Sequence, residues 1–164
     1  MYENIDDLEE EIFKTLCEDR FSFFAKQYIK VIEPETEFEW SWHIDALCDY
    51  CQKVYGGEIQ NLDINIPPRM LKSTIVSILF PCWIWAKSSS KKILSATRSS
   101  ALSVKFNIKR RDLIKSQEYQ DFWPIKLRDD VDTMSRFQNT ENGFMQAVSA
   151  GGKITGDGGD ILIS

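Results

Sequence analysis

The chain has no apolar run approaching the roughly 20 residues of a membrane span. Its greasiest stretch, 75–86, is too short and carries Pro81. The opening MYENIDDLEEE lacks the basic start and apolar core of a secretory leader. Histidine occurs once, at His43, and there is one CxxC, Cys48-Asp-Tyr-Cys51, with no second pair. A closed zinc cage needs four ligands, so Cys48 and Cys51 read as half-buried helical cysteines. With Cys17 and Cys82 they read as free thiols of a reducing compartment. Repeats and low-complexity linkers are lacking as well, and 164 residues suit one domain or most of one.

The chain is not strongly basic: the net charge is −5 and the pI near 5.0, which argues against indiscriminate coating of nucleic acid. The charge is unevenly spread. Residues 1–40 carry a net −8, residues 41–128 a net +7 and residues 129–164 a net −4. The basic middle is where a polyanion contact is expected.

Helical spacing of Ile5, Leu8, Ile12, Phe13 and Leu16, then of Phe24, Tyr28 and Ile32, predicts two helices over 5–32 with a break near 18–21. Pro34 and the acidic EPETEFE segment predict a surface loop. Ser41 stands as a cap for a helix over 42–55, ended by Gly56-Gly57. A buried strand is expected at 62–66, a stiff turn at Pro67-Pro68, and a helix over about 73–86. A second strand is expected at 92–97 and a helix from Ser99 or Ser100 to about Lys115. A hairpin is expected at Asn142-Gly143, and glycine turns at 151–152 and 156–159 lead into a strand at 160–163. Strand and helix in alternation imply an α/β fold with a mainly parallel sheet flanked by helices.

The most informative run is LDINIPPRMLKST, 62–74. A strand feeding a loop whose Lys and hydroxyl open a helix is a way to hold the phosphates of a nucleoside triphosphate. Backbone N–H groups cradle the phosphates, the Lys neutralises them and the hydroxyl meets Mg²⁺. In the G-x-x-x-x-G-K-[ST] template, Ile66 and Leu71 stand where glycine is usual and only Lys72-Ser73 fit.

The string FEWSWHIDALCDYCQKVYGGEIQNLDINIPPRMLKSTIVSILFPCWIWAK, 38–87, resembles the start of the ATPase domain of tailed-phage terminase large subunits. There a W-x-W-H-I-D segment precedes a helix, a strand leads into a glycine-poor P-P-R-x-x-K-S loop, and the next helix carries P-x-W-x-W. SATRSS (95–100), SQEYQDF (116–122) and GGKITGDGGDILI (151–163) follow in family order, so the resemblance covers roughly 21–163.

What the resemblance implies is a P-loop NTPase fold in an ATP-driven motor that packages double-stranded viral DNA in the cytoplasm of a bacterial host. The terminase small subunit and the portal would be its partners, and the motor would be a homo-oligomer with no membrane association. An acidic helical segment, 1–37, would precede a partial P-loop ATPase domain, 38–164. ATP-Mg²⁺ would be bound through 66–74: Pro68, Arg69, Met70, Leu71, Lys72, Ser73 and Thr74. Lys72 would contact the β- and γ-phosphates, Ser73 would hold Mg²⁺, and Arg69 would sense or stabilise the γ-phosphate, a task suited to a planar guanidinium. His43 would contact the adenine. Thr97 and Arg98 would lie near the coupling region, and Lys105, Lys109 and Arg110 share much of one helical face, read first as an ordinary solvated surface and second as one that could meet DNA phosphates.

The family continues past the ILI strand with paired acids for Mg²⁺ and the attacking water, then a nuclease domain. This sequence ends at Ser164, and Asp160 precedes the strand, so the expectation is weak nucleotide binding with essentially no hydrolysis. Two other readings stay open. One is a different P-loop class, a helicase or small-molecule kinase. The other is a prophage remnant or non-enzymatic fragment acting through its acidic N-terminal helices.

Overall fold

Arg20 adopts an extended backbone (φ −128°, ψ 107°) and separates α1 (Ile5–Asp19) from α2 (Phe21–Ile32), at the expected break. The computed structural model describes residues 5–35, 37, 39–149 and 158–164. Helix α2 buries Phe21, Phe24, Ala25, Tyr28 and Ile29 in the same core as the helices that follow. In α1 the periodicity predicts the helix but not its inner side. Cys17 is buried and Phe13 half-buried, whereas Leu8, Ile12 and Leu16 stay 39%, 50% and 39% exposed.

Helix α3 (Trp42–Tyr55) buries Ile44, Leu47, Cys48 and Cys51, and Gly57 follows it with φ +79°, which favours a residue without Cβ. Ser41 occupies the cap position but does not cap. Its hydroxyl is engaged with His43 Nδ1 at 2.6 Å and accepts from no backbone N–H of the helix. All four cysteines are free and buried. Burial pushes the thiols of Cys17, Cys51 and Cys82 up to about 12, and that of Cys48 higher still.

The predicted strand at 62–66 does not form. Residues 61–67 alternate outward and inward, with Leu62, Ile64 and Ile66 half-buried, but no ladder involves them among the described residues. The sheet order is β2 (Leu127–Asp132), β3 (Arg136–Asn139), β4 (Phe144–Ser149), β1 (Lys92–Thr97), β5 (Ile161–Ile163), so β1 has β4 on one side and β5 on the other. The run 62–66 is extended without pairing to either edge of this sheet, β2 or β5, among the described residues.

The helix expected over 73–86 forms in two registers. A π-helical segment spans Ser73–Leu79 and passes into α4 (Phe80–Lys87), with Phe80 N–H donating to Ile75 O five residues back. Pro81 explains the change: it has no N–H and cannot serve the carbonyl of Ser77. That carbonyl instead accepts from Arg110 Nε at 2.6 Å. Trp83 and Trp85 are buried as core residues, donating their indole N–H groups to Cys17 O (2.8 Å) and Lys91 O (2.9 Å).

The class is α/β as expected, but the sheet is mixed. Strands β4, β1 and β5 run parallel, while β2 (Leu127–Asp132), β3 (Arg136–Asn139) and β4 are antiparallel neighbours. The Asn142-Gly143 hairpin imposes this. Asn142 has φ +67°, and a Cβ on Gly143 would lie 1.8 Å from Ser89 O. Asn139 locks the turn, accepting from the N–H groups of Gly143 and Glu141 and donating to Ser89 O at 2.6 Å. The glycines of 151–152 and Gly156 lie outside the described residues; Gly158 and Gly159 precede β5. Asp160 pairs with Lys92 at the start of that strand, accepting from Lys92 N–H and donating its own N–H to Lys92 O, both at 2.8 Å.

Helix α5 (Ser100–Lys115) covers the sheet and leads through Ser116 into the short α6 (Gln117–Gln120). The expected basic face of α5 is not an open one. Arg110 is fully buried, Lys109 is ion-paired with Glu33, and Lys105 alone of the three is exposed. Desolvation lowers Arg110 to about 10, which leaves it protonated at neutral pH. Its two terminal nitrogens have no partner among the described residues.

Arg110→Ala should cost about 2–4 kcal/mol of folding stability, since it opens a cavity and orphans the Ser77 carbonyl. Arg110→Met should cost less, because it fills the volume and removes a buried charge; urea titrations of the three proteins check the order. Asp132 accepts from Lys115 Nζ at 2.5 Å and Arg111 Nη1 at 3.3 Å, and these bonds hold its carboxyl below the ordinary 3.8. A carboxyl lowered on folding stabilises fully above the unfolded value and loses that contribution as pH falls through the folded one. Asp132→Asn should therefore lower the melting temperature at pH 7, with the gap from the parent chain closing below pH 4.

Candidate functional site

The loop between the extended run 61–67 and the π-helical segment is built on two strained residues. Arg69 (φ +68°) and Leu71 (φ +59°) both lie in the left-handed region, uncommon for residues with a side chain. Pro68 before Arg69 gives the residue pattern of a type II turn, which demands positive φ at its third position. Leu71 stands at the second glycine position of the phosphate-loop template and has the positive φ that glycine adopts with no steric cost. Lys72 returns to the right-handed region (φ −47°, ψ −53°). A left-handed residue followed by a right-handed one turns successive N–H groups toward a common point, a concavity suited to an anion. The first helical bond, Ile75 N–H to Leu71 O at 2.9 Å, closes behind it.

Of the predicted loop residues, Pro68, Arg69, Met70, Lys72 and Ser73 are exposed, while Leu71 and Thr74 are half-buried. Leu71 anchors the loop by packing against the core. Lys72 Nζ folds back to Ile64 O at 3.4 Å. Its ammonium thus rests on the lead-in segment, a weak contact that a phosphate oxygen could replace.

A cavity of about 370 Å³ joins the loop to the region before α3. Arg69, Met70 and Leu71 line one side; Glu37, Glu39, Ser41, His43 and Ile44 line the other. The structure therefore brings His43 and Arg69 to one cavity, but not Lys72, Ser73 or Thr74, which do not line it. His43 is held through Nδ1 by Ser41, and its Nε2 is buried without a partner among the described residues. The His43 ring lines the cavity, while Nε2 itself is shielded from solvent, a buried polar atom left unpaired among the described residues. Its neighbourhood is firmly held: Trp40 Nε1 donates to Asp45 Oδ1 at 2.9 Å, and Lys26 Nζ lies 4.9 Å from the Trp40 ring centre. Trp42 beside it is 81% exposed.

The electrostatics divide the site. Glu37 and Glu39 make the cavity itself unfavourable for phosphate, and their oxygens accept from amino or hydroxyl groups. The cationic side chains, Arg69 and Lys72, lie on the loop. Thr97 is committed elsewhere, donating to Ser99 O and bonded to Ser103 Oγ, and Arg98 is exposed. Among the described residues no group of three His, Cys, Asp or Glu side chains could hold a metal ion. A larger cavity, about 420 Å³, lies away from the loop beside Ser88–Ser90 and Trp123 and contains none of the predicted site residues.

Glu37, Glu39 and Ser41 were not among the expected site residues. The acidic run before W-S-W-H carried the signal, yet charge next to proline reads as a solvated loop. Neither a protein-family model nor a curated protein nor a solved structure matches the chain. No helix among the described residues is long and apolar enough to cross a membrane.

Because Arg69 is exposed, replacing it forfeits little packing. Arg69→Gly should relieve the left-handed strain and raise the melting temperature by about 1–3 °C, as a calorimetric scan would register.

Proposed function

We propose that the chain is the nucleotide-binding part of an ATP-driven motor of the terminase large-subunit type, which translocates double-stranded viral DNA inside a bacterial host cell. One observation carries the reading. The glycine-poor loop is left-handed at Leu71, where the phosphate-loop template has glycine, and Lys72 and Ser73 open a helix directly after it. The P-loop NTPase fold is part of this proposal.

The electrostatic division of the site suggests how ATP would lie. The triphosphate belongs at the loop, against the N–H groups around Leu71–Ser73, with Lys72 as the counter-charge and Arg69 reaching the terminal phosphate. The adenine belongs in the cavity, beside the His43 ring, with Glu37 or Glu39 accepting from its amino group or from ribose hydroxyls. Mg²⁺ would reach Ser73 Oγ with the phosphates, complete its shell with their oxygens and water, and spread the charge of the terminal phosphate. The chain's own residues hold and orient: Leu71 fixes the loop to the core, and Ser41 fixes the His43 ring. The terminase small subunit, the portal and further copies of the chain are the partners of this proposal.

Titration of the folded chain with Mg-ATP by calorimetry tests it. Lys72→Ala should weaken ATP at least tenfold and leave adenosine binding unchanged, because the cavity carries the base and the loop carries the charge. ATP affinity indifferent to Lys72, or a folded chain that takes up no ATP, would defeat the proposal.

A further inference from the structure

Helix α1 carries an apolar stripe that faces outward. Leu8, Ile12 and Leu16 recur every four residues, a spacing that keeps them on one side of a helix. All three are exposed, Ile12 by half. The inner side is held separately: Cys17 is buried, Phe13 meets Phe23 edge-on and Phe122 at a tilt, and Glu18 accepts from Trp123 Nε1 at 2.8 Å. Every residue from Asp7 to Ile12 is exposed, whichever way it points. The first turns of α1 thus stand out from the fold as an arm, anchored by the last turns.

The arm is acidic. Asp7, Glu9, Glu10 and Glu11 stand on its exposed turns, Lys14 is the only base of the helix, and Glu9 and Glu11 border the stripe. A helix this short gains little from its own propensity, and its solvent side has no structural need of three large aliphatics. The charge selects among occupants. A second copy of α1 would lay acid against acid, and an anionic membrane surface would repel the arm.

We propose that the outer side of α1 is a docking surface for a basic amphipathic helix of another protein. Leucine-sized side chains of that helix pack on Leu8, Ile12 and Leu16, while its Lys and Arg residues meet Glu9, Glu11 and the other acids. This surface does not depend on nucleotide binding and stands or falls apart from the phosphate loop.

The test titrates the full chain with a synthetic helical peptide that has a leucine stripe flanked by lysine and arginine. A peptide with the same stripe flanked by glutamate is the control, and amide NMR shifts report the contacts. The basic peptide should shift residues of α1 and weaken as salt is raised, and the acidic one should leave them unmoved. Ile12→Asp should weaken the basic peptide at least tenfold without altering the melting temperature, since Ile12 is exposed; Ile12→Ala, the milder variant, should weaken it less. Equal binding of both peptides, binding of neither, or basic-peptide shifts confined to other elements would overturn the proposal. So would sedimentation showing that the chain pairs with itself through α1, or flotation of the chain with phosphatidylserine vesicles.

Discussion

A guanidinium–carbonyl contact inside the core ties together the parts on which the candidate site rests. Pro81 deprives Ser77 O of its helical donor, and Arg110 supplies one from α5. The helix behind the phosphate loop can then run in a wider register for seven residues and still leave that carbonyl satisfied. Cys82 returns the link by directing its thiol to Arg110 O at 3.7 Å. The loop's exit, the helix covering the sheet and the sheet itself are thereby joined through one buried cation. Such a cation is costly to desolvate, so the contact constrains the fold more than it stabilises it.

The loop itself is held by opposite means. Its backbone is strained at Arg69 and Leu71, and only Leu71 offsets the strain by packing. Arg69 gains no comparable burial, which is the pattern of a residue kept for its side chain despite the backbone it must adopt. The cavity that it lines also has two carboxylates, so the guanidinium stands between that acidic wall and the cationic end of the loop. The lead-in segment 61–67 makes no ladder bonds among the described residues, so the loop is joined to a firm helix on one side and a lightly held strand-like run on the other.

Much of the architecture was legible from periodicity and turn residues. The break near Arg20, the helix over 42–55, the strand at 92–97, the helix to Lys115 and the Asn142-Gly143 hairpin all rest on local signals, and these survive whatever the tertiary packing does. What depends on neighbours was not legible. Whether 62–66 becomes a strand depends on pairing with a strand distant in sequence, and the sidedness of α1 on what packs on Phe13 and Cys17. The burial of Arg110 reflects a proline 29 positions earlier, a relation no spacing rule encodes. At the site, Lys72, Ser73 and Arg69 were visible as residue types in a pattern. The cavity's acidic wall was not, because Glu37 and Glu39 reach it only through the path of the chain before α3.

The four cysteines give the interior a built-in reporter. They sit on three separate helices, Cys17 on α1, Cys48 and Cys51 on α3 and Cys82 on α4, each buried and with its thiol pushed far from the reactive thiolate form. Alkylating reagents therefore find no target while the core is closed. The order in which the four sites become labelled records which helix parts from the core first, turning an inert set of side chains into a clock for the opening of the fold.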